Sequence, residues 1–317
     1  MIKENTVTIV IPSFNEEKNI NELLKRLFQI TSKLDNFEWF YLFVDDCSQD
    51  RTFDKLKEKA VNNKNIKIIR LSRNFGSHIA ISAGIENSNS DAVIVISSDL
   101  QEPPELIEKL IKEWGLGYQV VWAVRKHRAQ SLLGKICSKI YSKLFRYFSG
   151  LINYPEQGAS GYFLIDKKVA KLWPKFKETN RVVGGMLAWL GFKQTVIQYE
   201  QSERYAGKSS FTFMKLVKLA IDAFVSFSYM PIRFIFYLGI LVSFVGFFYA
   251  IYLILNKIIY GIGPTGWTSV MVIVLFLGGI QLISLGILGE YIWRGVEESR
   301  RRPLYVVMEK VNFDEND

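Results

Sequence analysis

Two uncharged apolar runs in the last third of the chain most constrain what it can fold into. Residues 234–255 (FIFYLGILVSFVGFFYAIYLIL) and 268–289 (TSVMVIVLFLGGIQLISLGILG) contain no Asp, Glu, Lys or Arg. Each is long enough to cross a bilayer, which takes roughly 20 residues as a helix. Helices buried in a soluble core are usually shorter and carry a polar face. The two runs therefore predict a transmembrane hairpin over residues 231–293.

The basic residues around these runs predict the orientation of the hairpin. The chain starts with MIKENTVTIVIPSFNEE, a strand-like run with charged residues after it, and this is not the pattern of a secretory signal peptide. Two crossings return the chain to its starting side, and the loop between them, KIIYGIGPTGW, holds Lys257 alone among basic residues. The positive-inside rule therefore predicts an integral membrane protein with its N-terminal domain and both termini in the cytoplasm. The basic residues that flank this side are Arg233, Arg294, Arg300, Arg301 and Arg302.

The net charge of +9 indicates an anionic partner. No recognition helix, zinc spacing or aromatic-basic sheet motif accompanies the charge, so nucleic acid is not expected as a partner. Membrane lipid is expected, because residues 131–151 place apolar and lysine-rich faces at helical spacing, a pattern typical of a helix lying in the membrane interface. A soluble amphipathic helix docked on the domain core is the alternative. Residues 211–230 form a second candidate interfacial helix.

The N-terminal part alternates between two periodicities. Apolar runs rich in β-formers at 7–11, 40–44, 66–70 and 92–96 predict strands, and the segments at 16–32, from about 77 and from about 103 predict helices. This alternation predicts an α/β domain with a parallel sheet covered on both faces. Ligands of such sheets bind at the carboxyl ends of the strands. Those ends are occupied by Pro12–Glu17, Asp45–Asp46 and Ser97–Gln101.

These strand ends carry carboxylates and lack a glycine-rich phosphate loop. Neither GxGxxG nor GxxxxGK[ST] occurs, which argues against dinucleotide binding and P-loop hydrolysis. Acidic residues beside an anionic diphosphate require a divalent cation between them, and Mg²⁺ or Mn²⁺ suits their oxygen ligands. The two cysteines, Cys47 and Cys137, have no metal-ligand spacing, so we expect ordinary thiols.

Four segments in sequence order, IPSFNEEKNI, VDDCSQDRT, SRNFGSHIAISAGI and SSDLQEPPE, resemble the family-2 glycosyltransferases. Among these, the chain looks most like the polyprenyl-phosphate enzymes, the bactoprenol glucosyltransferases and dolichol-phosphate mannose synthases. The resemblance implies a cytosolic GT-A (Rossmann-like) nucleotide-sugar domain over 1–210, which includes the interfacial helix at about 131–151. The second interfacial helix at 211–230, the hairpin and a cytosolic tail at 294–317 would follow. The tail segment PLYVVMEKVNF has strand character and is expected to pair with a sheet edge of its own domain or of a neighbouring subunit in a homo-oligomer.

The resemblance also implies roles for individual residues. Catalysis would rest on Asp99, Arg125 and Arg204, and the metal would be held by Asp99 and Gln101. The nucleotide-sugar would be bound by Pro12, Asn15, Glu16, Asp45, Asp46 and Ser98. The acceptor phosphate would be bound by Arg125, Arg181, Arg204, Lys208 and Ser209.

Alternatives stay open for several of these residues. Asn15 and Glu16 are also suited to capping a helix, Asp45 and Asp46 to a solvated turn, and Arg181 to an ordinary surface position. Glu156 could orient a donor hydroxyl or act as a base, although such a loop residue is usually only solvated. The further candidates His78 and His127 are expected to be packed or exposed rather than to bind metal.

One departure from the family pattern concerns the metal segment. The family usually has Asp at the position of Ser97, and a hydroxyl is a weak neutral ligand. Asp99 is therefore expected to be the only carboxylate in this segment, with weaker metal binding or loss of activity as consequences to test.

The implied reaction is transfer of one sugar, glucose from UDP-glucose, to undecaprenyl or another polyprenyl phosphate at the cytoplasmic face of a bacterial membrane, with inversion. Mannose or another hexose is an alternative donor sugar. A processive polysaccharide synthase would ordinarily need more membrane crossings, and an inactive membrane-tethered nucleotide-sugar-binding subunit is the non-enzymatic alternative.

Overall fold

A computed structural model describes residues 5–126, 160–200, 230–260 and 266–313, together with 143, 146, 147, 149–151, 154, 155 and 158. The chain divides into two compact units, one of residues 1–223 with 302–317 and one of residues 224–301. The predicted interfacial helices at 131–151 and 211–230 fall mostly outside the described residues.

The first half of the N-terminal unit is a repeating strand–helix pattern. Its elements are β1 (Asn5–Ser13), α1 (Ile20–Thr31), β2 (Phe37–Asp45), α2 (Thr52–Asn62), β3 (Ile66–Leu71), α3 (Ser77–Glu86) and β4 (Ala92–Val95). A short 3₁₀ turn (Pro104–Leu106) leads into α4 (Ile107–Gly115) and β5 (Val120–Arg125). The strands and helices predicted for residues 7 to 115 are present, with bounds that differ by a few residues.

The remaining elements of this unit complete the sheet. They are β6 (Phe163–Asp166), α5 (Lys167–Ala170), a 3₁₀ turn (Trp173–Lys175), α6 (Val183–Trp189), β7 (Gln194–Tyr199) and β8 (Val307–Val311). The described strands form one sheet in the order β7-β5-β6-β4-β1-β2-β3-β8.

Two strands correct the prediction of a purely parallel sheet. β6 pairs antiparallel with β4 and β5, and β8 pairs antiparallel with β3. Neither strand belongs to the alternating strand–helix repeat of the first half, and that repeat is the sequence signal for parallel pairing. The other pairs, β1 with β2 and β4, β2 with β3, and β5 with β7, are parallel.

Burial on both faces of the sheet explains the apolar strands. Val7, Ile9, Val10 and Ile11 of β1 are all fully buried, as expected for a strand covered by helices on both sides. Gly84 of α3 lies so close to Val10 that a Cβ atom would overlap the valine side chain. This close approach packs the last turn of α3 directly against β1.

The second unit contains two long helices, α7 (Met230–Tyr260) and α8 (Trp267–Ser299). They include Ile232–Ile259 and Val270–Ser299, which are long and apolar enough to cross a membrane. Their large apolar side chains are exposed, for example Phe247 at 62% and Leu282 at 72%. Such surfaces are unfavourable in water but suit a lipid environment. α8 continues beyond the predicted end at residue 293, with an Arg294–Glu290 ion pair of 3.0 Å in its last turns.

Candidate functional site

The carboxyl ends of β1, β2 and β4 meet at one edge of the sheet. Ser13 and Asp45 are register partners at the ends of β1 and β2, and the Asp46 amide donates to the Ser13 carbonyl at 2.9 Å. From the segment after β4, the Ser98 hydroxyl donates to the Pro12 carbonyl at 3.1 Å. The structure therefore brings together the three segments in which the sequence places the chemistry.

Each of these segments holds one non-glycine residue in the left-handed region of backbone space. Asn15 has φ of 56°, Cys47 of 62° and Leu100 of 60°. Such conformations are uncommon for L-residues other than Asn and Asp, cost free energy, and cluster at binding and catalytic sites. The carboxyl edge is thus a place where the fold maintains unfavourable backbone geometry.

Asn15 and Glu16 join the first loop to the second. The Asn15 amide donates to Ser48 Oγ at 2.9 Å, and the Glu16 amide donates to Thr52 Oγ1 at 2.8 Å. Asn15 Oδ1 accepts the Gln49 amide at 2.8 Å. Helix α1 begins only at Ile20, so these residues act before the helix as loop cross-links rather than as its N-cap.

Asp45 and Asp46 are buried, which excludes the solvated-turn alternative. Asp45 is 0% exposed, accepts the Ser48 amide at 3.2 Å and forms an ion pair with Arg70 at 3.4 Å. Asp46 is 3% exposed and accepts the amides of Phe75 at 2.7 Å and Gly76 at 2.8 Å. Burial raises the pKa of both carboxyls, and the hydrogen bonds from Ser48 and from Phe75 and Gly76 oppose that rise. Asp46 thereby holds the start of α3 against the end of β2.

Asp99 lies in the middle of the third segment, two residues before Gln101. Its Oδ1 accepts the Ser97 hydroxyl at 2.7 Å and the Gln101 amide at 3.2 Å, and the residue is 9% exposed. The carboxylate of Asp99 and the side-chain carbonyl of Gln101 supply oxygen ligands of the kind that Mg²⁺ and Mn²⁺ prefer. No group of three or more His, Cys, Asp or Glu side chains occurs in the described part of the chain, so a cation here would need further ligands from substrate and water.

A second carboxylate, which was not predicted as a site residue, lies beside Asp99. Glu102 is 3% exposed, and its Oε2 accepts the Ser97 amide at 3.0 Å. Burial raises the pKa of this carboxyl, whereas the hydrogen bond from Ser97 and the charge of Arg125 oppose the rise. The expectation that Asp99 is the only carboxylate of this segment is therefore wrong. An acidic residue three positions after Asp99 is visible in the sequence, but its burial is not.

Arg125 ends β5 at this same edge of the sheet. Its Nε donates to the Tyr199 hydroxyl at 3.3 Å, and its charge opposes the rise that burial causes in the pKa of Glu102. Burial raises the pKa of Tyr199 to about 12, so its hydroxyl stays protonated at neutral pH. The predicted phosphate-binding arginine is thus held near Glu102.

The predicted position of Arg181 at the acceptor site is corrected by the structure, which places this residue away from the carboxyl edge. Its guanidinium forms an ion pair with Glu86 at 2.6 Å and donates to the Phe176 carbonyl at 2.9 Å. Glu86 is the last residue of α3, about 15 Å along the helix from the end that Asp46 contacts. The side chain of Arg181 is only 4% exposed, so it is neither an acceptor-phosphate ligand at this site nor a surface cation. It is a buried structural arginine.

Several other predicted residues fall outside the described part of the chain, but His78 does not. His78 is described in the first turn of α3, where burial lowers its pKa and leaves Nδ1 without a hydrogen-bond partner. This environment fits packing rather than metal binding. The candidates for which no structure is described are Arg204, Lys208, Ser209, Glu156, His127 and Cys137.

Comparison with known structures supports the fold. A crystal structure of glucosyl-3-phosphoglycerate synthase from Mycobacterium tuberculosis, in complex with Mn²⁺, UDP and glucosyl-3-phosphoglycerate, superimposes with a TM-score of 0.52. It is 16% identical and covers 71% of this chain and 80% of that one. At this identity the likeness shows the fold alone, and it confirms the predicted GT-A architecture.

Comparison with known sequences extends over nearly the whole chain. An uncharacterized glycosyltransferase of Synechocystis is 39% identical over 302 residues, covering 95% of this chain and 94% of that protein. The bactoprenol glucosyl transferase of Shigella phage SfV is 34% identical over 303 residues, covering 95% of this chain and 97% of that protein. Residues 230–294 match the model of the GtrB C-terminal hairpin. Because residues 8–171 also match the model of glycosyl transferase family 2, the chain belongs to that family, as its four motifs predict.

Proposed function

We propose that this chain transfers a single glucose from UDP-glucose to undecaprenyl phosphate or a similar polyprenyl phosphate. The observation that carries the proposal is the joint match to family 2 and to the GtrB hairpin, together with full-length similarity to bactoprenol glucosyl transferases. A hairpin long enough to cross a membrane suits an acceptor that resides in the bilayer.

The donor binds at the carboxyl edge in this proposal. Pro12, Asn15, Glu16 and Ser98, with the region held by Asp45 and Asp46, form the nucleotide side. Phe14 adds a ring that is 38% exposed next to Asn15, and such a ring can stack on a base. Asp99 and Gln101 hold Mg²⁺ or Mn²⁺, which when bound neutralises charge on the departing nucleoside diphosphate.

The acceptor supplies its own nucleophile. The second pKa of a phosphate monoester is about 6, so the polyprenyl phosphate is mostly a dianion at neutral pH and needs little help from a general base. The chain's role is to hold this oxygen in line with the anomeric carbon, which is then inverted. The proposed phosphate ligands are Arg125, Arg204, Lys208 and Ser209. Two of them are arginines, whose guanidinium groups donate paired hydrogen bonds to phosphate oxygens.

Membrane attachment explains how the enzyme reaches a lipid acceptor. Extracting a long hydrocarbon from the bilayer costs about 0.8 kcal/mol per methylene group. A domain anchored on the cytoplasmic face leaves the chain in lipid and binds only the phosphate. The orientation with the catalytic domain and both termini in the cytoplasm follows from the basic residues that flank the hairpin.

The test is a panel of labelled nucleotide-sugars with purified protein and undecaprenyl phosphate. UDP-glucose should give undecaprenyl-phosphate-glucose as a one-sugar product, with GDP-mannose and UDP-N-acetylhexosamines giving much less. Preference for GDP-mannose would overturn the choice of sugar, and long products would indicate a polysaccharide synthase. Donor binding without turnover for every sugar would favour the non-enzymatic binding subunit.

A further inference from the structure

The side chain of Ser97 bonds to Asp99. Its hydroxyl donates to Asp99 Oδ1 at 2.7 Å, and the Gln101 amide donates to the same oxygen at 3.2 Å. Two donors on one oxygen restrict rotation of the carboxylate about its χ2 torsion. Ser97 therefore acts on Asp99 as a hydrogen-bond donor, a contact that an aspartate at this position could not make while ionised.

The backbone of Ser97 is held from the other side by Glu102. The Ser97 amide donates to Glu102 Oε2 at 3.0 Å, and Glu102 is 3% exposed. Between these two contacts the chain turns through Leu100, which is buried and has φ of 60°. The segment 97–102 is thus a closed turn in which Glu102 fixes Ser97 and Ser97 fixes Asp99.

The surroundings of Glu102 keep it in place. Tyr162 is fully buried near Glu102, and its hydroxyl donates to the Pro103 carbonyl at 3.2 Å. Arg125 is close enough for its charge to act on Glu102, and it is itself bonded to Tyr199. A buried carboxylate is costly unless hydrogen bonds and an opposite charge compensate it, and this carboxylate has both.

We propose that Ser97 and Glu102 are positioning residues that orient the Asp99 carboxylate for the divalent cation. Glu102 holds the Ser97 amide from a buried position, and Ser97 transmits the orientation to Asp99 through its hydroxyl. The inference rests on the metal site of the proposed function.

Mn²⁺ binding tests this role directly. Full-length protein in detergent micelles with UDP would be titrated with Mn²⁺ and followed by electron paramagnetic resonance. Loss of an outer-shell hydrogen bond or charge typically weakens metal affinity by about 10-fold or more. We therefore expect Ser97→Ala and Glu102→Gln each to weaken Mn²⁺ binding by about 10-fold.

Three further variants separate orientation from folding. Ser97→Thr keeps the hydroxyl and should retain wild-type affinity for Mn²⁺. Ser97→Asp should bind Mn²⁺ more tightly, yet melt at a lower temperature without metal, because two carboxylates then face each other. Glu105→Gln is the matched control, since Glu105 follows three residues after Glu102 but is paired at the surface with Arg26 at 2.7 Å. The Mn²⁺ affinity of this variant should be unchanged.

The outcomes distinguish this inference from the proposed function. Wild-type Mn²⁺ affinity in folded Ser97→Ala and Glu102→Gln would overturn the positioning role and leave the metal site intact. Absence of Mn²⁺ binding by the wild type would overturn the metal site and the positioning role together. Glucose transfer, measured separately, would in that case stand as a metal-independent reaction.

Discussion

Asp99 is the residue on which the proposed metal chemistry depends most. Its carboxylate has a fixed orientation, because Ser97 and Gln101 both donate to Oδ1, and the residue is 9% exposed. Glu102, the other carboxylate of the segment, is buried and bonded to the Ser97 amide. Glu102 is therefore poorly placed to replace Asp99 as a ligand.

Asp99→Asn should abolish metal-dependent sugar transfer, and excess Mn²⁺ should restore little. The amide is a weaker ligand for a hard cation, and its Nδ2 cannot accept the bonds that Oδ1 accepts. Sugar transfer would be measured against Mg²⁺ and Mn²⁺ concentration, with circular dichroism to verify folding. A folded variant with normal transfer and unchanged metal dependence would show that cations of the chain hold the donor diphosphate.

Arg181 tests the opposite case, a charged residue with a structural role. Arg181→Met should destabilise the protein by about 3 kcal/mol, because it leaves Glu86 without its buried partner. The remaining folded protein should bind UDP and Mn²⁺ as the wild type does. Thermal unfolding and nucleotide titration would be compared, and Glu86→Gln with Arg181→Met should recover part of the lost stability. Normal stability with lost acceptor turnover would return Arg181 to the acceptor site.

The sequence predicts which residues lie at the carboxyl edge where a strand end contains them, but it does not predict contacts that a distant partner decides. Asp46, Asp99 and Gln101 are found from their positions at strand ends. The pairing of Arg181 with Glu86 joins residues 95 positions apart, and nothing near either residue signals it. The burial of Glu102 likewise depends on Tyr162 and on β5, which reach it only through the tertiary fold.

At the scale of elements, one side chain ties the amino ends of β1 and β4 together. Asp91 Oδ2 accepts the Thr6 amide at 3.0 Å and the Thr6 hydroxyl at 2.9 Å, while Oδ1 pairs with Lys167 at 3.0 Å. These bonds favour the ionised carboxylate and lower the pKa of Asp91 to about 2. Asp91 thus stabilises the junction of two central strands and α5.

This junction should make stability depend on acid pH. The pKa of Asp91 is about 2 in the folded protein and lies near 3.8 without these partners. The contribution of Asp91 to the free energy of unfolding is therefore present above about pH 4 and is lost as the pH falls towards 2. Asp91 is partly exposed, so we expect Asp91→Asn to cost about 1 kcal/mol at pH 7. Thermal unfolding of the wild type and of Asp91→Asn between pH 2.5 and 7 should show that the difference in stability between them shrinks at low pH. A difference that stays constant with pH would contradict this assignment.

The elements themselves were predictable to different degrees. β1 to β4 and the helices between them follow from apolar periodicity, since strands buried on both faces read as continuous runs of β-formers. The direction of β6 was not predictable, because a four-residue strand, Phe163–Asp166, carries no signal for parallel or antiparallel pairing. The strand in the tail was predictable, whereas its choice of β3 as partner depends on contacts such as the Lys57–Glu309 pair at 2.7 Å.

At the scale of the whole molecule, the hairpin determines where the protein resides. We expect the protein to stay with membranes after high-salt and carbonate washes, because the uncharged runs 234–255 and 268–289 insert into lipid whereas a merely basic surface is released by salt. Fractionation followed by immunoblotting would measure this. Recovery in the soluble fraction would show that the two helices do not span the membrane.

The segment after the hairpin is built into the N-terminal unit. The Tyr305 hydroxyl donates to Glu86 Oε2 at 3.0 Å and accepts from Asn87 Nδ2 at 3.0 Å, so it joins the network that contains Arg181. Burial and the neighbouring Glu86 raise the pKa of Tyr305 well above its usual value, which keeps this donor protonated. Next along the chain, β8 covers the edge of β3, and Asn312 Nδ2 donates to the carbonyls of Ala60 and Ile66, both at 2.8 Å.

Truncation after Arg301 should therefore weaken the N-terminal unit although it leaves both long helices intact. Removing β8 exposes the edge of β3 and deprives Glu86 of its tyrosine partner, and an open edge favours pairing between chains. We expect a lower melting temperature and faster proteolysis, with membrane association unchanged. Tyr305→Phe is the milder variant; it removes only the hydroxyl and should cost about 1 to 2 kcal/mol. A truncated protein as stable and protease-resistant as the full chain would show that β8 contributes little to the sheet and that its pairing with β3 is not needed for the fold.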